Sequence, residues 1–452
     1  MSLQDRIDEY GSPLSLLFKN SPPWSRNDTF PFYPVIHTNW RDEQRAWTET
    51  AVLFNQSFHM PDLFISGPDT VRLLQETSVN SYKNFRLGLA KQYLAVNEEG
   101  YFLGDAIMVP LHNDEVVVTG VAYALNWLEY QAEVGGYDVT LHREAASKGR
   151  TDIEKRFYRY QLEGPNAWKI LEKAAGGPLE RIRFFNTAEY TIGGLQVRAL
   201  NHTMGGVPGK DATGLELFGP FAETEAFLKI ILEAGEEFGL LQGGSLAYAS
   251  AQTESGWMGG ALPAVYTSPS LEGYRRWLPD TALENMGLAM RNGSYLPDTV
   301  EGYYCTPWDL GYGHTVKFDH DFIGREALEK IAAAPPRKKV WLSWNAEDTA
   351  RILVEGELGQ VGAPKPLESP GIFSHDEVRK DDRLVGTTQW HGYTVNLGGW
   401  VALASVDTEL AVDGVELEIV WGDAEGGVHN PRSPQHTLTT VRAKVHTKSP
   451  MS

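Results

Sequence analysis

A glutamine and a histidine interrupt the apolar run AVLFNQSFHMPDLFISGPD at residues 51–69. The residues around Gln56 and His59 are mostly aliphatic or aromatic, so the segment is expected to be buried. A buried polar side chain costs free energy unless a hydrogen-bonding partner satisfies it. Two interpretations follow: backbone groups of the core satisfy the pair, or the pair serves a ligand that enters the core.

Three further places combine polar groups with apolar surroundings. Asp105 enters an apolar strand in GDAIMV after a glycine turn, where the simplest role is to end the turn. Glu216 is the lone charge on the apolar strand GLELF, and its carboxylate suits a planar ligand with adjacent N–H donors. The segment LAYASAQTESGWMGG is rich in small residues, which let a ligand approach closely. The side chains there that could contact a ligand are Tyr248, Gln252, Glu254 and Trp257.

Several other chemistries lack support in the motifs. MGGVPGKDATG at 204–214 has neither the Lys-Ser/Thr ending of a phosphate-binding loop nor the spacing of a dinucleotide turn. GGSLA at 243–247 lacks the last glycine of a nucleophile elbow, and no strand-turn-helix context is expected around it. FDHDF at 318–322 is interpreted as a solvated turn before a helix rather than a metal site. Cys305 is expected to be a small buried side chain, not a nucleophile.

Composition limits the classes of protein and partner. The chain has 452 residues, 42% of them hydrophobic and 22% charged, which is typical of a globular protein with two or three domains. Its formal net charge of −19 opposes nucleic acid as a partner. No run approaches the ~18 apolar residues of a membrane span, and MSLQDRIDEYG lacks the blocks of a signal peptide. A single cysteine agrees with a reducing compartment, so a cytoplasmic location is expected, with the choice between monomer and homo-oligomer open.

The element pattern indicates an α+β protein. Strand, Gly-Pro turn and helix recur at 63–77, 160–174 and 215–235, with Asp69 and Asn166 placed to cap the first two helices. This repetition is either a common β-turn-α device or a duplicated subdomain. We predict an N-terminal region of two α+β subdomains over 1–270, a linker and helical segment over 271–337, and a β-barrel over 338–452.

The order of several motifs resembles the tetrahydrofolate-dependent methyltransferases built on the glycine-cleavage T-protein (GcvT) fold. These motifs, which span nearly the whole chain, are YPVIHTNWRDEQRAW, LFNQSFHMPDLFISGPD, AKQYLAVNEEGYFLGDAI, GLELFGP, AQTESGWM, KFDHDFIGREAL and LVGTTQWHGYTVNLGGWVALASVD. Within that superfamily the chain looks most similar to the bacterial aryl O-demethylases that act on vanillate or syringate. The resemblance implies a three-subdomain, folate-binding fold with a C-terminal barrel, and a substrate at the inner end of a central folate channel.

The resemblance also implies roles for individual residues. The family's pterin-binding glutamate falls on Glu216, and the demethylases' essential tyrosine falls on Tyr248. The predicted catalytic residues are Tyr248 and His59, and no metal ligand is predicted. The predicted substrate-binding set is Gln56, His59, Tyr33, Val121 and Phe58, with Phe54 and Met60 completing the apolar walls. The predicted tetrahydrofolate-binding set is Glu216, Trp257, Asp105, Tyr93 and Gln252.

Two departures from the family patterns bear on the substrate. Aminomethyltransferases carry arginines in the segment that corresponds to 247–256, whereas this chain has Tyr248 and Gln252, which favours ether cleavage over glycine cleavage. The vanillate enzymes carry an arginine for the substrate carboxylate, and the matching position here is Val121. The substrate is then either uncharged at that end or holds its carboxylate elsewhere, as an ortho-methoxybenzoate such as dicamba does.

The expected reaction is transfer of an aryl methyl group to tetrahydrofolate, which gives a phenol and 5-methyltetrahydrofolate without a metal. A tyrosine, with a pKa near ~10, is matched to a phenol leaving group, which makes Tyr248 the candidate proton donor. Two alternatives are demethylation of a sulfonium or methylated amine on the same fold, and a folate-binding regulatory protein. A cationic methyl donor favours carboxylates or an aromatic cage, whereas the expected pocket is neutral.

Overall fold

The structure is a computed structural model, and it describes residues 2–19, 37–112, 114–146, 155–202, 214–285, 292–359, 362–427 and 433–450. Among these residues, no helix combines the length and the apolar character needed to cross a lipid bilayer.

Helices and strands occur throughout the described ranges. The helices are α1 (Leu3–Tyr10), α2 (Pro13–Lys19), α3 (Trp40–Glu49), α4 (Thr70–Glu76), α5 (Ala122–Val134), α6 (Ala167–Ala175), α7 (Thr224–Gly235), α8 (Ser245–Ser255), α9 (Glu272–Trp277), α10 (Arg325–Ala333) and α11 (Ala346–Leu358). The strands are β1 (Ala51–Asn55), β2 (Asp62–Ser66), β3 (Lys91–Val96), β4 (Phe102–His112), β5 (Glu115–Gly120), β6 (Thr140–Glu144), β7 (Phe157–Glu163), β8 (Thr187–Ile192), β9 (Leu195–Leu200), β10 (Gly214–Pro220), β11 (Leu240–Gln242), β12 (Arg337–Trp344), β13 (Gly371–Phe373), β14 (Glu377–Lys380), β15 (Arg383–Thr394), β16 (Gly399–Asp407), β17 (Glu416–Trp421) and β18 (Thr439–His446).

Two sheets form the N-terminal part of the fold. The first sheet has the order β3-β4-β5-β2-β6 and the second has the order β11-β1-β7-β10-β9-β8. Their pairings are antiparallel, as the sequence predicts, except that β1 pairs with β11 in parallel. Helices α6 and α7 cover the second sheet through an apolar cluster that includes Trp168 and Phe227. Since β1 and β2 are consecutive but lie in different sheets, the turn that carries Gln56 and His59 bridges the two.

A closed barrel follows in the C-terminal region, as the sequence predicts. Strands β15, β14, β17, β18, β12 and β16 are hydrogen-bonded in that order, and β15 also pairs with β16, which closes the barrel. Its interior is a cluster of aliphatic residues and tryptophans, among them Trp344, Trp400 and Trp421. The resulting α+β architecture with a C-terminal barrel is the fold class expected from the sequence.

The segment between the second sheet and the barrel packs against both neighbouring regions. Tyr274 and Leu278 lie in the same apolar core as Leu63 of the first sheet. Leu328 of α10 lies in a different core together with Leu94 of β3 and Trp341 of β12. Described residues of this segment therefore contribute to two cores.

Three local predictions differ from the structure. Asp69 and Asn166 stand at the N-cap positions, but neither side chain caps its helix. Asp69 instead accepts hydrogen bonds from Arg72 and the Asp138 backbone, and the Asn166 amide donates to the Phe238 carbonyl. Around GGSLA, β11 leads through a glycine pair into α8, so a strand-turn-helix context does exist.

The turn FDHDF is only partly solvated. The Asp321 side chain is 99% exposed, whereas the His320 side chain is 5% exposed because its ring packs beside Tyr82 and reaches the Ser78 carbonyl. Cys305 is buried, as expected. Within the described residues, no three His, Cys, Asp or Glu side chains are grouped so that they could hold a metal ion.

Candidate active site

A cavity of about 620 Å³ lies where the two sheets, α8 and the barrel meet. The first sheet contributes Asp105 and Thr119, the second sheet contributes Arg159 and Glu216, and the barrel contributes Lys339. Eight of the sequence-predicted site residues line this one cavity: Gln56, His59, Met60, Asp105, Val121, Glu216, Tyr248 and Trp257. The fold thus brings together side chains that are as much as about 200 positions apart in the chain.

A hydrogen-bonded polar cluster lines part of the cavity, and this part is referred to below as the inner end. The Gln56 amide donates to the Tyr248 hydroxyl over 3.2 Å and to Gln161 Oε1 over 2.7 Å. Gln161 in turn donates to the carbonyl of His202 over 2.8 Å. The His59 ring packs edge-on against the Tyr248 ring at a centroid distance of 5.0 Å. Gln56 and His59 are therefore part of a site shared by both sheets and α8.

Close packing of α8 on β1 sets the position of Tyr248. A β-carbon at Gly243 would overlap the Phe54 ring, so glycine is required where the chain turns into α8. The Phe54 ring then packs edge-on against Tyr248 at 5.3 Å. Two buried glutamates anchor the helix: Glu43 accepts the Gly244 N–H at its start, and Glu254 in its last turn accepts the Trp47 indole N–H. Tyr248 consequently projects from a rigid element.

Burial keeps the two predicted catalytic groups in their neutral forms. Desolvation, followed by the charges of Arg159 and Lys155, lowers the pKa of His59 from 6.5 to about 3. Desolvation, with Glu163 and Glu216 nearby, raises the pKa of Tyr248 well above 10. At neutral pH the imidazole is uncharged and the phenol keeps its proton. Tyr248 therefore keeps its proton for a hydrogen bond to a developing oxyanion and does not serve as a phenolate base. Its raised pKa departs from the match to a phenol leaving group that the sequence predicts.

Glu216 places an ionised carboxylate in the cavity wall. Its Oε1 lies 3.2 Å from Arg159 Nε, and its Oε2 lies 3.6 Å from His202 Nδ1. Desolvation acts to raise the pKa of the buried Glu216 carboxyl, but Arg159 and His202 outweigh it and the pKa is lowered overall. An ionised, buried carboxylate is a strong acceptor for the N–H groups of a flat heterocycle.

Asp105 connects the first sheet to α8 and to the segment that follows α9. Its Oδ2 accepts hydrogen bonds from Gln92 at 3.1 Å, from the Trp257 indole at 3.1 Å and from the Tyr312 hydroxyl at 2.7 Å. Desolvation raises the pKa of Asp105 despite these donors. Asp105 thus does more than end a turn, because it holds Trp257 in place on the cavity wall.

Three of the residues predicted to bind substrate or folate lie elsewhere. Tyr93 is fully buried in the core of the first sheet, where its hydroxyl donates to Thr77 at 2.9 Å. Phe58 packs edge-on against Phe221, and Gln252 donates to the Ala249 carbonyl at 3.4 Å. These three residues are not among those that line the cavity, and Tyr33 lies outside the described residues.

Arg159, Gln161 and Glu163 were not among the residues predicted from the sequence. All three are buried, and they alternate along β7, so their side chains share one face of an otherwise apolar strand. That alternation of polar residues in YRYQLEGP is visible in the sequence and could have revealed a polar face. Tyr312 and Lys339 gave no such local signal, because only the tertiary fold brings them to the cavity.

Comparisons with known proteins find relatives over nearly the whole chain. Residues 16–259 match the model of the GCVT N-terminal domain. The chain is 40% identical over 448 residues to the syringate O-demethylase of Sphingobium sp., and the alignment covers 98% of this chain and 95% of that protein. It is 30% identical over 438 residues to the sesamin methylene transferase of Sinomonas sp., with coverages of 93% and 91%.

A solved structure shares the fold. The glycine cleavage system aminomethyltransferase T from Bartonella henselae superimposes with a TM-score of 0.59 at 17% identity, over 92% of this chain and 90% of that one. The resemblance inferred from the motifs is confirmed. The domain model matches more than half of the chain, and two relatives at least 30% identical align with nearly all of it. The chain therefore belongs to the GCVT domain family.

Proposed function

We propose that the protein is a tetrahydrofolate-dependent O-demethylase that transfers the methyl group of a methoxylated aromatic compound to tetrahydrofolate and releases a phenol. One observation supports this proposal above the others: a buried, protonated tyrosine and an ionised glutamate face the same cavity. The syringate O-demethylase relative, at 40% identity over nearly the full chain, supports the same chemistry.

The residues present fit a reduced folate. Glu216 offers an ionised carboxylate for adjacent N–H groups of a pterin ring, and Trp257, fixed by Asp105, offers an aromatic surface. Lys91, Lys317 and Lys339 also line the cavity, which gives it positive charge in a chain of net charge −19. When bound, tetrahydrofolate supplies the ring nitrogen that accepts the methyl group.

The inner end of the cavity provides what ether cleavage requires. A phenoxide leaves poorly unless its developing charge is stabilised or protonated. Tyr248, oriented by the Gln56 amide, holds a proton where the departing oxygen is expected. Gln56 and His59 would orient the oxygen substituents of the ring, while Met60 and Val121 form apolar wall and keep water out. Alignment of the reacting groups by such walls supplies several kcal/mol, and about 7–11 kcal/mol for well-oriented groups.

A cationic methyl donor fits this end less well. The carboxylates at this end, Asp62 and Glu216, are already paired with Lys155 and Arg159, so they are less available to balance the charge of a sulfonium or an ammonium group. We therefore favour an ether over these alternatives. A regulatory folate-binding protein would require Glu216 but not Tyr248.

The test is a turnover assay with the purified protein. A panel of methoxyarenes, with and without carboxylates at different ring positions, is incubated anaerobically with tetrahydrofolate, and phenol and 5-methyltetrahydrofolate are quantified together. Equal amounts of both products, formed only when both reactants are present, are expected. Tetrahydrofolate binding without turnover of any methoxyarene would instead favour the regulatory alternative.

A further inference from the structure

A row of alternating charges crosses from the first sheet to the second at the inner end of the cavity. Lys155 Nζ lies 3.4 Å from Asp62 Oδ2, and Asp62 Oδ1 lies 3.1 Å from Arg159 Nη2. Arg159 Nε then lies 3.2 Å from Glu216 Oε1. None of these four side chains is more than 13% exposed. Asp62 begins β2 of the first sheet, whereas Arg159 and Glu216 belong to β7 and β10 of the second.

Arg159 is the member of this row that governs the charge of Glu216. Among the described residues, the groups that face Glu216 are Arg159 and Gln161 on β7, His202 after β9, and Tyr248 on α8. Gln161 and Tyr248 are neutral, and His202 carries a charge only when protonated. The guanidinium is positive at every accessible pH. A carboxylate buried this deeply would otherwise take up a proton.

Asp62 fixes the direction of the guanidinium. It accepts a hydrogen bond from Thr119 at 2.5 Å, which anchors it to β5, and it is neutralised on its other side by Lys155. The rigid fork of an arginine can bind two carboxylates through different nitrogens, whereas the single ammonium of a lysine cannot reproduce that geometry. Arg159 is thereby clamped between Asp62 and Glu216.

We propose that Arg159 is a positioning residue that keeps the Glu216 carboxylate charged and aimed into the cavity, so that it can accept the N–H groups of the pterin. This inference rests on the proposed function, because it concerns how tetrahydrofolate is captured. It assigns to the charge row a role in ligand binding, in addition to its role in holding the two sheets together.

The dissociation constant of tetrahydrofolate, measured from about pH 6 to about pH 9, tests the inference. The wild-type affinity should be nearly flat, because Glu216 is already ionised over that range. In Arg159→Met, Glu216 should be protonated near neutrality, so binding should weaken about tenfold or more and recover as the pH rises. Arg159→Lys should bind more weakly than wild type but keep a flat profile, because it retains the charge.

Matched controls separate this role from a loss of structure. Arg156→Met removes a nearby arginine that is exposed and paired with Glu115, and it should leave both affinity and pH profile unchanged. Glu216→Gln should weaken binding at every pH without recovery. The melting temperature of each variant shows whether it is folded. If Arg159→Met does not fold, the pH dependence of tetrahydrofolate affinity in Arg159→Lys tests the inference instead.

The outcomes are distinguishable. The positioning role would be overturned if Arg159→Met lost affinity for tetrahydrofolate equally at every pH, or if the affinity of Arg159→Lys varied with pH. Either result would leave the proposed function intact. If the wild type binds no tetrahydrofolate at all, the proposed function fails and the inference fails with it.

Discussion

The side-chain amide of Gln56 lies 3.2 Å from the hydroxyl of Tyr248, which joins the turn after β1 to helix α8. The two residues are 192 positions apart, and both line the same cavity. This contact orients the hydroxyl that we propose as the proton donor. It requires α8 to stay packed on β1, which the close approach at Gly243 and the buried Glu43 and Glu254 ensure.

Removing the Tyr248 hydroxyl should impair the methyl-transfer step but not the binding of tetrahydrofolate. We expect Tyr248→Phe to lower kcat by roughly 10²-fold to 10⁴-fold, the usual contribution of a general acid, with little change in the affinity for tetrahydrofolate. Phenol release and folate binding are measured on the same preparation. Tyr93→Phe is the matched control, since it removes a buried hydroxyl away from the cavity and should cost about 1 kcal/mol of stability without loss of turnover. Unchanged turnover in Tyr248→Phe would exclude this residue from the chemistry.

His59 should act without changing its charge. Because its pKa falls to about 3 in the folded protein, the pH profile of kcat should contain no ionisation of His59 between about pH 5.5 and about pH 8. His59→Gln should therefore lower activity without altering the shape of that profile. A step near pH 6.5 that disappears in His59→Gln would show that the imidazole titrates in the active enzyme.

The same group makes stability depend on pH. A His59 pKa depressed from 6.5 to about 3 contributes stability that is fully present above pH 6.5 and is lost as the pH falls toward 3. From pH 7 to pH 5 the loss should reach about 1–2 kcal/mol. The melting temperature of His59→Gln should accordingly fall less on acidification than that of the wild type. Parallel decreases in the two proteins would contradict this expectation.

Val121 should influence which methoxyarenes are used. It lines the cavity at the N-cap of α5, so Val121→Arg places a cation at the cavity wall. We expect kcat/KM for para-carboxylated methoxyarenes to rise about tenfold relative to uncharged ones, the effect of one charge-assisted hydrogen bond. Positive charge at a helix N-terminus costs about 0.3–1 kcal/mol, so some loss of stability should accompany the change. Val121→Leu, which adds bulk without charge, is the control, and an unchanged ratio of rates in Val121→Arg would show that the position does not face the ring.

Glu254 should be important for stability. It is fully buried and accepts hydrogen bonds from Trp47 at 2.8 Å, from Asn396 at 2.9 Å and from Thr394. Glu254→Ala leaves these donors without an acceptor and should lower the free energy of unfolding by about 2–4 kcal/mol, as measured by urea denaturation. Glu233→Ala, on the exposed face of α7, should change it by less than about 0.5 kcal/mol. Similar values for both variants would show that the anchor of α8 lies elsewhere.

The local pattern of the chain was sufficient to predict much of the architecture. The strand, Gly-Pro turn and helix units appear as β2-α4, β7-α6 and β10-α7, and the alternating C-terminal segments appear as the barrel. These features follow from side-chain periodicity within a few residues, which is encoded locally. The caps at Asp69 and Asn166 were mispredicted because their side chains bind partners 69 and 72 positions away.

By itself, the sequence determined the family, the α+β class and eight residues of the cavity, because motif order and lone polar residues in apolar runs are visible without coordinates. Only the tertiary structure decided which of these residues act together. It placed Arg159 against Glu216 across neighbouring strands, and it brought Asp105 to Trp257 and Tyr312 over 152 and 207 positions. It also assigned Tyr93 to the core rather than to the cavity. The physical reason is that the charge of a buried carboxylate and the direction of a buried hydroxyl depend on neighbours that the fold supplies from distant parts of the chain.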